Sequence, residues 1–414
     1  MHIGLEAAPL QKRYFTPIVW ILVAIALNGM FFLGWRFFSG LGAVTNLNNQ
    51  FPWGIWIGVD VAAGVALAAS GFTTAALGHI MHREEYEAVM RPALLTAMLG
   101  YTFVALSVAI DLGRYYFIWH PLIMWNGNSA LFEVGMCVMA YVTVLYIEFI
   151  PIVLERYMGR LNLPGVFSVL NKPLEAIMRI MDKGLSKTMF FFIIMGVVLS
   201  CLHQSSLGTL MIIAGNKMHP LWQTPVLPLL FLLSAVSLGF PMVIFESLIT
   251  ARSFKLEPET SLLSRLAKFV GPLLGIYLAA KLGDMVIRKT YVYLTEFNTE
   301  SVMFVIELLF GVIIPLRIFM SRKALKSKLL LFIASGLVIF GVLLNRINTF
   351  IVAYTPLYAE KSYFPSFGEI SVTVGLVAIE ILLFRLFVIN FPIISREVKT
   401  PVKQHKYAIK GIVS

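Results

Sequence analysis

Charge is scarce in this chain. Of its 414 residues 13% are Asp, Glu, Lys or Arg, about half the share of an average soluble domain, while 58% are hydrophobic and the mean hydropathy is +0.83. That balance excludes a soluble globular protein and implies a polytopic membrane protein. Cysteine is nearly absent: Cys137 and Cys201 both lie in apolar runs, which excludes a disulfide framework, and no CxxC set exists to hold an iron–sulfur cluster or zinc. Seven histidines remain, of which only His203 sits well inside an apolar run. A bis-histidine haem needs a second ligand at matching depth, and His79 and His82 stand at the end of their run, so a b-type cytochrome is disfavoured. No polar stretch is long enough for a domain of its own, so a soluble catalytic module must come from another chain. The N-terminus carries Lys12 and Arg13 before an apolar run without a small-residue cleavage site, and reads as an uncleaved first span.

What is abundant is apolar sequence of membrane-crossing length. Ten spans are predicted at residues 17–37, 54–81, 92–117, 128–154, 188–213, 224–250, 262–288, 300–320, 327–350 and 368–394. The fold class expected is an all-α integral membrane protein of two four-helix bundles, spans 2–5 and 6–9, flanked by spans 1 and 10. An N-terminal segment (1–16) and a basic tail (395–414) bracket the membrane domain (17–394). Counting Lys and Arg in alternate loops puts 25 of 33 on one side with both termini, which predicts that side to be cytoplasmic. An excess of +11 so placed points to membrane lipid rather than nucleic acid as the partner of the basic surface. The segment from Arg156 to Lys187 reads as an amphipathic helix on the inner surface, with Leu174, Ile177 and Ile180 facing lipid. The opposite loops, "NLNNQFPWG", "HPLIMWNGNS", "NKMHPLWQTP" and "YTPLYAEKSYFPSFGE", are rich in Trp, Tyr, Pro and Asn.

The stretch from Asn48 to His82 organises the rest. An Asn-rich loop leads through Trp53 and Trp56 into a span carrying Asp60, and an ionised group at such depth costs at least about 3 kcal/mol unless it faces protein or water. Packing against an arginine would account for it; a polar pocket near one membrane face accounts for it better. In the third span Asp111 and Arg114 are three residues apart and share a side, and Arg114 is the expected neutralising partner of Asp60. His203, Gln204, Ser205, Ser206 and Thr209 crowd two turns of the fifth span. The fourth carries Glu133 and Glu148 near opposite ends of one face, with Tyr141 between them. Acids at two depths on one stripe suit a proton path, to which Tyr101 and Glu246 would add. Lys281 and Asp284 are read as an ion pair, and Glu307 and Glu380 remain as further intramembrane acids.

Taken together, "FPWGIWIGVD", "RPALL…LGY…SVAIDLGRYY", "NSALFE", "HQSSLGTLMI", "HPLWQ", "VIFES" and "YFPSFGEI…GLVAIE" resemble the NrfD-like (PsrC-like) quinone-interacting membrane subunits, in their ten-helix branch. The likeness spans roughly residues 35–395. It implies a cofactor-free quinone module in the bacterial inner membrane, docked under a periplasmic iron–sulfur ferredoxin-like subunit that is served by a catalytic or multihaem cytochrome subunit. By matching motif, quinone-site and proton-path roles fall on Asp60, Tyr101, Glu133, His203 and Glu246. The reading that joins residues and resemblance is a menaquinone pocket near the outer face formed by Trp56, Asp60, Asp111, Arg114 and His203. A proton path of Tyr101, Glu133, Tyr141, Glu148 and Glu246 would feed it from the cytoplasm. Haem, iron–sulfur cluster and metal are not expected in this chain. The rival expectation is an ion-coupled secondary transporter, whose mark would be paired interrupted helices in two repeats.

Overall fold

Inside hydrocarbon an apolar run satisfies its backbone by internal helical hydrogen bonds, and that is what the long runs do in this computed structural model. It describes residues 4–10, 12–81, 83, 86–357, 359 and 362–398; His82 and the tail beyond 398 lie outside them. Ten spans are present among the described residues: α1 Pro17–Ser39, α2 Trp56–Ile80, α3 Glu87–Asp111, α4 Ala130–Tyr157, α5 Asn171–Ile212, α6 Leu227–Phe254, α7 Thr260–Ile287, α8 Thr299–Phe319, α9 Lys328–Val352 and α10 Phe367–Asn390. Helices α2 to α5 pack as one four-helix bundle and α6 to α9 as a second, and the two main apolar clusters each draw residues from both. Packing of α5 on α6 and of α2 on α6 and α9 joins the two. The flanking helices α1 and α10 pair with each other, and α10 lies along α3. The protein is thus an all-α polytopic membrane protein. A short antiparallel ladder of β1 Gly4–Ala7 and β2 Ser395–Val398 ties the two ends of the chain together.

With ten spans the connections alternate between a basic end, which carries both chain ends, and an aromatic end holding the Trp- and Tyr-rich loops. Two boundaries differ from expectation for a physical reason. The third span stops at Asp111 because Arg36 of α1 donates to the carbonyls of Ile110 (2.6 Å) and Leu112 (2.5 Å), taking acceptors that a further turn would need. The expected surface helix at the basic end is instead the start of α5. Its 42 residues run as one helix, about 63 Å long, twice a hydrocarbon thickness, so the amphipathic part projects beyond the membrane.

Helix α2 is irregular throughout. It opens as a π-helix over Trp56–Ala63, breaks at Ala68–Ala69, and ends in a second π turn, Ala76–Ile80. At the break Ala69 N–H bonds the Ala66 carbonyl, and the Val65 carbonyl accepts instead from Gln204 Nε2 of α5 at 2.8 Å. Side-chain rescue of a freed carbonyl is what makes such a break tolerable at membrane depth. No matching break occurs in α6; the π segments of the second bundle lie in α8 (Leu309–Ile313) and α9 (Asn348–Val352), so interruptions at corresponding places in two repeats are not found among the described residues.

Candidate functional site

At the aromatic end α1, α2, α3 and α10 converge on a group of acids. Asp60 lies one turn below Trp56; its Oδ2 accepts from Thr373 Oγ1 of α10 at 2.8 Å. The buried Trp56 indole donates to the Glu369 carbonyl at 3.2 Å. Asp111 is within electrostatic reach of Asp60, and its Oδ1 is buried without a hydrogen-bond partner. The cation beside Asp111 is Arg36, fully buried and stacked between the rings of Phe37 (4.8 Å) and Tyr115 (5.3 Å). Arg114 is exposed and pairs with neither acid, because the chain leaves helical geometry at Leu112 and turns it outward. Its expected pairing with Asp60 is therefore corrected. The buried Glu369 carboxylate accepts from Asn46 N–H (3.0 Å), Ser366 N–H (2.8 Å) and Tyr363 O–H (2.5 Å), while the Tyr363 oxygen accepts from Ile55 N–H (3.0 Å). Tyr363 stands in the loop outside the spans, and burial together with its bond to Glu369 raises its pKa. These bonds fasten the start of α2 to α10.

Inside the first bundle lies a second group, on α3, α4 and α5. Tyr101 and Tyr141 meet edge to face with centroids 4.4 Å apart, His203 lies 5.5 Å from Tyr101, and the Tyr101 hydroxyl is 3.4 Å from Ser200 Oγ. All four side chains are buried, and neither His203 nitrogen nor Gln204 Oε1 has a partner. Towards the basic end, a Cβ at Gly196 would stand 2.8 Å from Glu148 Oε1 and 3.6 Å from the Tyr141 ring, so the glycine lets α5 press against both. Towards the aromatic end, Ser206 donates to Glu133 Oε1 at 2.5 Å, and Glu133 is otherwise exposed rather than enclosed. The residues expected to form one pocket are thus divided. Trp56, Asp60 and Asp111 sit at the α10 side; His203 sits with Tyr101 and Tyr141 in the bundle.

Glu246 of α6 reaches Thr96 of α3, whose hydroxyl donates to Oε2 at 2.7 Å. The second bundle holds a different network. The expected Lys281–Asp284 pair does not form: Lys281 finds a better acceptor across the bundle and Asp284 a better donor one turn on. Lys281 bonds buried Glu307, which also accepts from Asn345 (2.8 Å), Asn348 (2.8 Å) and Trp222 (3.1 Å), while Asp284 pairs with Arg288 at 2.7 Å. Arg346, wholly buried, lies over the Phe231 ring at 3.6 Å and donates to Asn345 Oδ1 and Ser234 Oγ.

Comparison with known proteins fits this layout. The family described as "Polysulphide reductase, NrfD" matches residues 43–357, from the loop before α2 to the loop after α9. The chain belongs to the NrfD family. It is 34% identical to the probable Ni/Fe-hydrogenase 2 b-type cytochrome subunit of Escherichia coli (strain K12) over 407 residues, 97% of each chain. It is 26% identical to the menaquinone reductase, integral membrane subunit, of Nitratidesulfovibrio vulgaris over 398 residues, 88% of this chain and 90% of the relative. A third relative, a selenate reductase subunit of Mesobacillus selenatarsenatis, is 23% identical over 419 residues, 94% and 96% of the two chains.

The NrfD match covers both four-helix bundles but neither α1 nor α10, the helices that supply Arg36, Thr373 and Glu369 to the acid group. Sequence reasoning passed over these three and Tyr363. Two of them carried a signal. Ser366-x-x-Glu369 has capping-box spacing, and both halves of the box are formed. Arg36 is a lone cation in an apolar span, which demands an acceptor as strongly as Asp60 does. Thr373 carried none, since a threonine in a span most often bonds its own helix.

Proposed function

We propose that this chain is the membrane subunit of a bacterial respiratory oxidoreductase complex, in which it binds menaquinone near the periplasmic face and mediates its reduction by electrons from a partner iron–sulfur subunit. The relatives support this by name: one is a hydrogenase subunit, one a menaquinone reductase subunit, one a selenate reductase subunit. Orientation follows from charge, the basic end facing the cytoplasm and the aromatic end the periplasm. The observation that carries the reading is the polar group at the α10 side of the aromatic end, where Asp111 Oδ1 is buried without a partner and within electrostatic reach of Asp60. An unbonded buried acceptor costs about 1–3 kcal/mol, and a molecule with a polar head and an apolar body seated there offsets that cost.

Reduction of the quinone consumes two electrons and two protons. Asp60, held by Thr373 and close to Asp111, is assigned to hold and give a proton to a quinone oxygen; His203, which stands apart beside Tyr101 in the first bundle, is assigned to the proton path. Trp56 closes the α10 side against lipid. Arg36, rather than Arg114, supplies the positive charge that offsets Asp111. Electrons enter from the periplasm, so drawing the protons from the cytoplasm makes turnover electrogenic. Glu148, Tyr141 and Tyr101 form the inner part of that proton path, Glu133 its outer part, and Glu246 a second inner entrance. A haem does not fit this chain, although one relative's name implies it: His203 is enclosed against Tyr101, and the other intramembrane histidine among the described residues, His79, stands at the opposite end of the membrane domain.

Asp60→Asn and His203→Ala test the assignment. Each is expected to lower menaquinone turnover about a hundredfold, as loss of a proton donor does, with the complex still assembled. Normal turnover in both would remove the pocket; loss of the protein from the membrane in both would mark the two residues as packing elements.

A further inference from the structure

Two acids at the basic half of the molecule have no cation paired with them among the described residues. Glu246 Oε2 accepts from Thr96, but its Oε1 is buried without a partner. Glu380 of α10 is within electrostatic reach of Glu246. It packs beside Gly100, where an added Cβ would stand 3.5 Å from Glu380 Oε1 and 3.1 Å from Ala68, so α3, α6 and α10 meet around the two carboxyl groups. Thr96 and Gly100 are one turn apart on α3. The cations closest along these helices are engaged elsewhere. Arg91 pairs with Glu155 at 2.8 Å and donates to the Pro392 carbonyl; Arg385 donates to the Tyr14 and Arg13 carbonyls and stacks on Phe254. Two carboxyl groups roughly 12–15 Å above the basic ends of their helices, with no counter-charge, cannot both be ionised, so the pair holds at least one proton.

The pair also sits at the foot of a seam. On α3, Thr96, Gly100, Ser107 and Asp111 fall within about 60° of one face, and on α10 Glu380 and Thr373 are seven residues apart, the same face about 10 Å on. Phe103, Ile110, Val372 and Leu376 pack the two helices together, and Ser107 Oγ is buried there with no partner. At the upper end Thr373 bonds Asp60.

We propose that Glu246 and Glu380 form a proton-holding pair and that the α3–α10 seam is a proton route to Asp60, separate from the path through Glu148 and Tyr141. The proton passes from cytoplasmic water to the pair, then by bridging water past Ser107 and Thr373 to the Asp60 carboxylate, which has just given its own proton to the quinone. Nothing is oxidised or reduced along the route. This rests on the quinone reading above, and Glu380 lies outside the stretch that the NrfD family matches.

The test uses the chain purified with its co-isolating subunits in proteoliposomes, with reduced viologen as donor and a short-chain menaquinone as acceptor. Glu380→Gln is expected to slow turnover about tenfold or more, and Glu380→Asp to restore most of it. Infrared spectra of the full chain should contain a protonated-carboxyl C=O band that Glu246→Gln or Glu380→Gln removes. Normal turnover and an intact band in Glu380→Gln, while Glu148→Gln loses its membrane potential, would overturn the seam and leave the quinone reading standing. Absence of any potential in the unmodified complex would remove the electrogenic reading and the seam with it. If Glu380→Gln does not assemble, Glu380→Asp decides: a shifted band with turnover retained supports the pair, and an unshifted band overturns it.

Discussion

Two intramembrane acids of similar appearance in the sequence are bonded quite differently in the structure. Glu307 is saturated by Lys281, Trp222, Asn345 and Asn348, whereas Glu246 keeps one oxygen unbonded. A carboxylate with four donors is held in place and serves as an anchor; one with an unbonded oxygen beside another acid is not so held. If Glu307 is an anchor, Glu307→Gln alone should be strongly destabilising, by about 3–5 kcal/mol, because it strands the Lys281 charge in the second bundle. The double variant Lys281→Met/Glu307→Leu should recover most of that loss, since apolar residues of similar volume replace a buried pair at little cost. Thermal midpoints of the detergent-purified chain measure both. Recovery of stability together with loss of turnover in the double variant would show that the pair acts in the chemistry.

At the level of single helices, α2 stands apart. It carries π turns at both ends and a break between them, with Trp56 and Asp60 turned towards α10 and Val61 and Val65 packed into the first bundle. The break at Ala68–Ala69 is held by the single bond from Gln204 to the Val65 carbonyl. Gln204→Leu should therefore cost about 1–3 kcal/mol by leaving that carbonyl unbonded. Hydrogen exchange at Ala68–Gly71 should accelerate while α3 and α4 remain protected; unchanged exchange there would mean that neighbouring packing alone holds the break. In the sequence the glutamine is only one of a crowd of polar residues, because its partner is a backbone atom, which no side-chain pattern reveals.

For the whole molecule the orientation is open to direct measurement. In a background lacking Cys137 and Cys201, both of which lie within spans, a cysteine replacing exposed Asn126 should react with a membrane-impermeant thiol reagent in intact spheroplasts. One replacing exposed Lys323 should react only after permeabilisation. The reverse pattern would invert the molecule and place the acid group at the cytoplasmic face. Ten spans, two bundles and the alternation of basic and aromatic ends could be read from the chain, because the bilayer imposes length, apolarity and loop charge on sequence directly. So could the ionisable residues set within the spans, each of which demands a partner in hydrocarbon. What the sequence by itself could not determine is which of them meet. It paired Asp60 with Arg114 and Lys281 with Asp284, and gathered His203 to Asp60. The tertiary structure decided otherwise: α1 and α10, distant in sequence, bring Arg36, Thr373 and Glu369 to the acids, and α8 brings Glu307 to Lys281. Charge in a low-dielectric interior is answered by the first well-placed donor from any helix, and placement between helices is set by packing that no single span encodes.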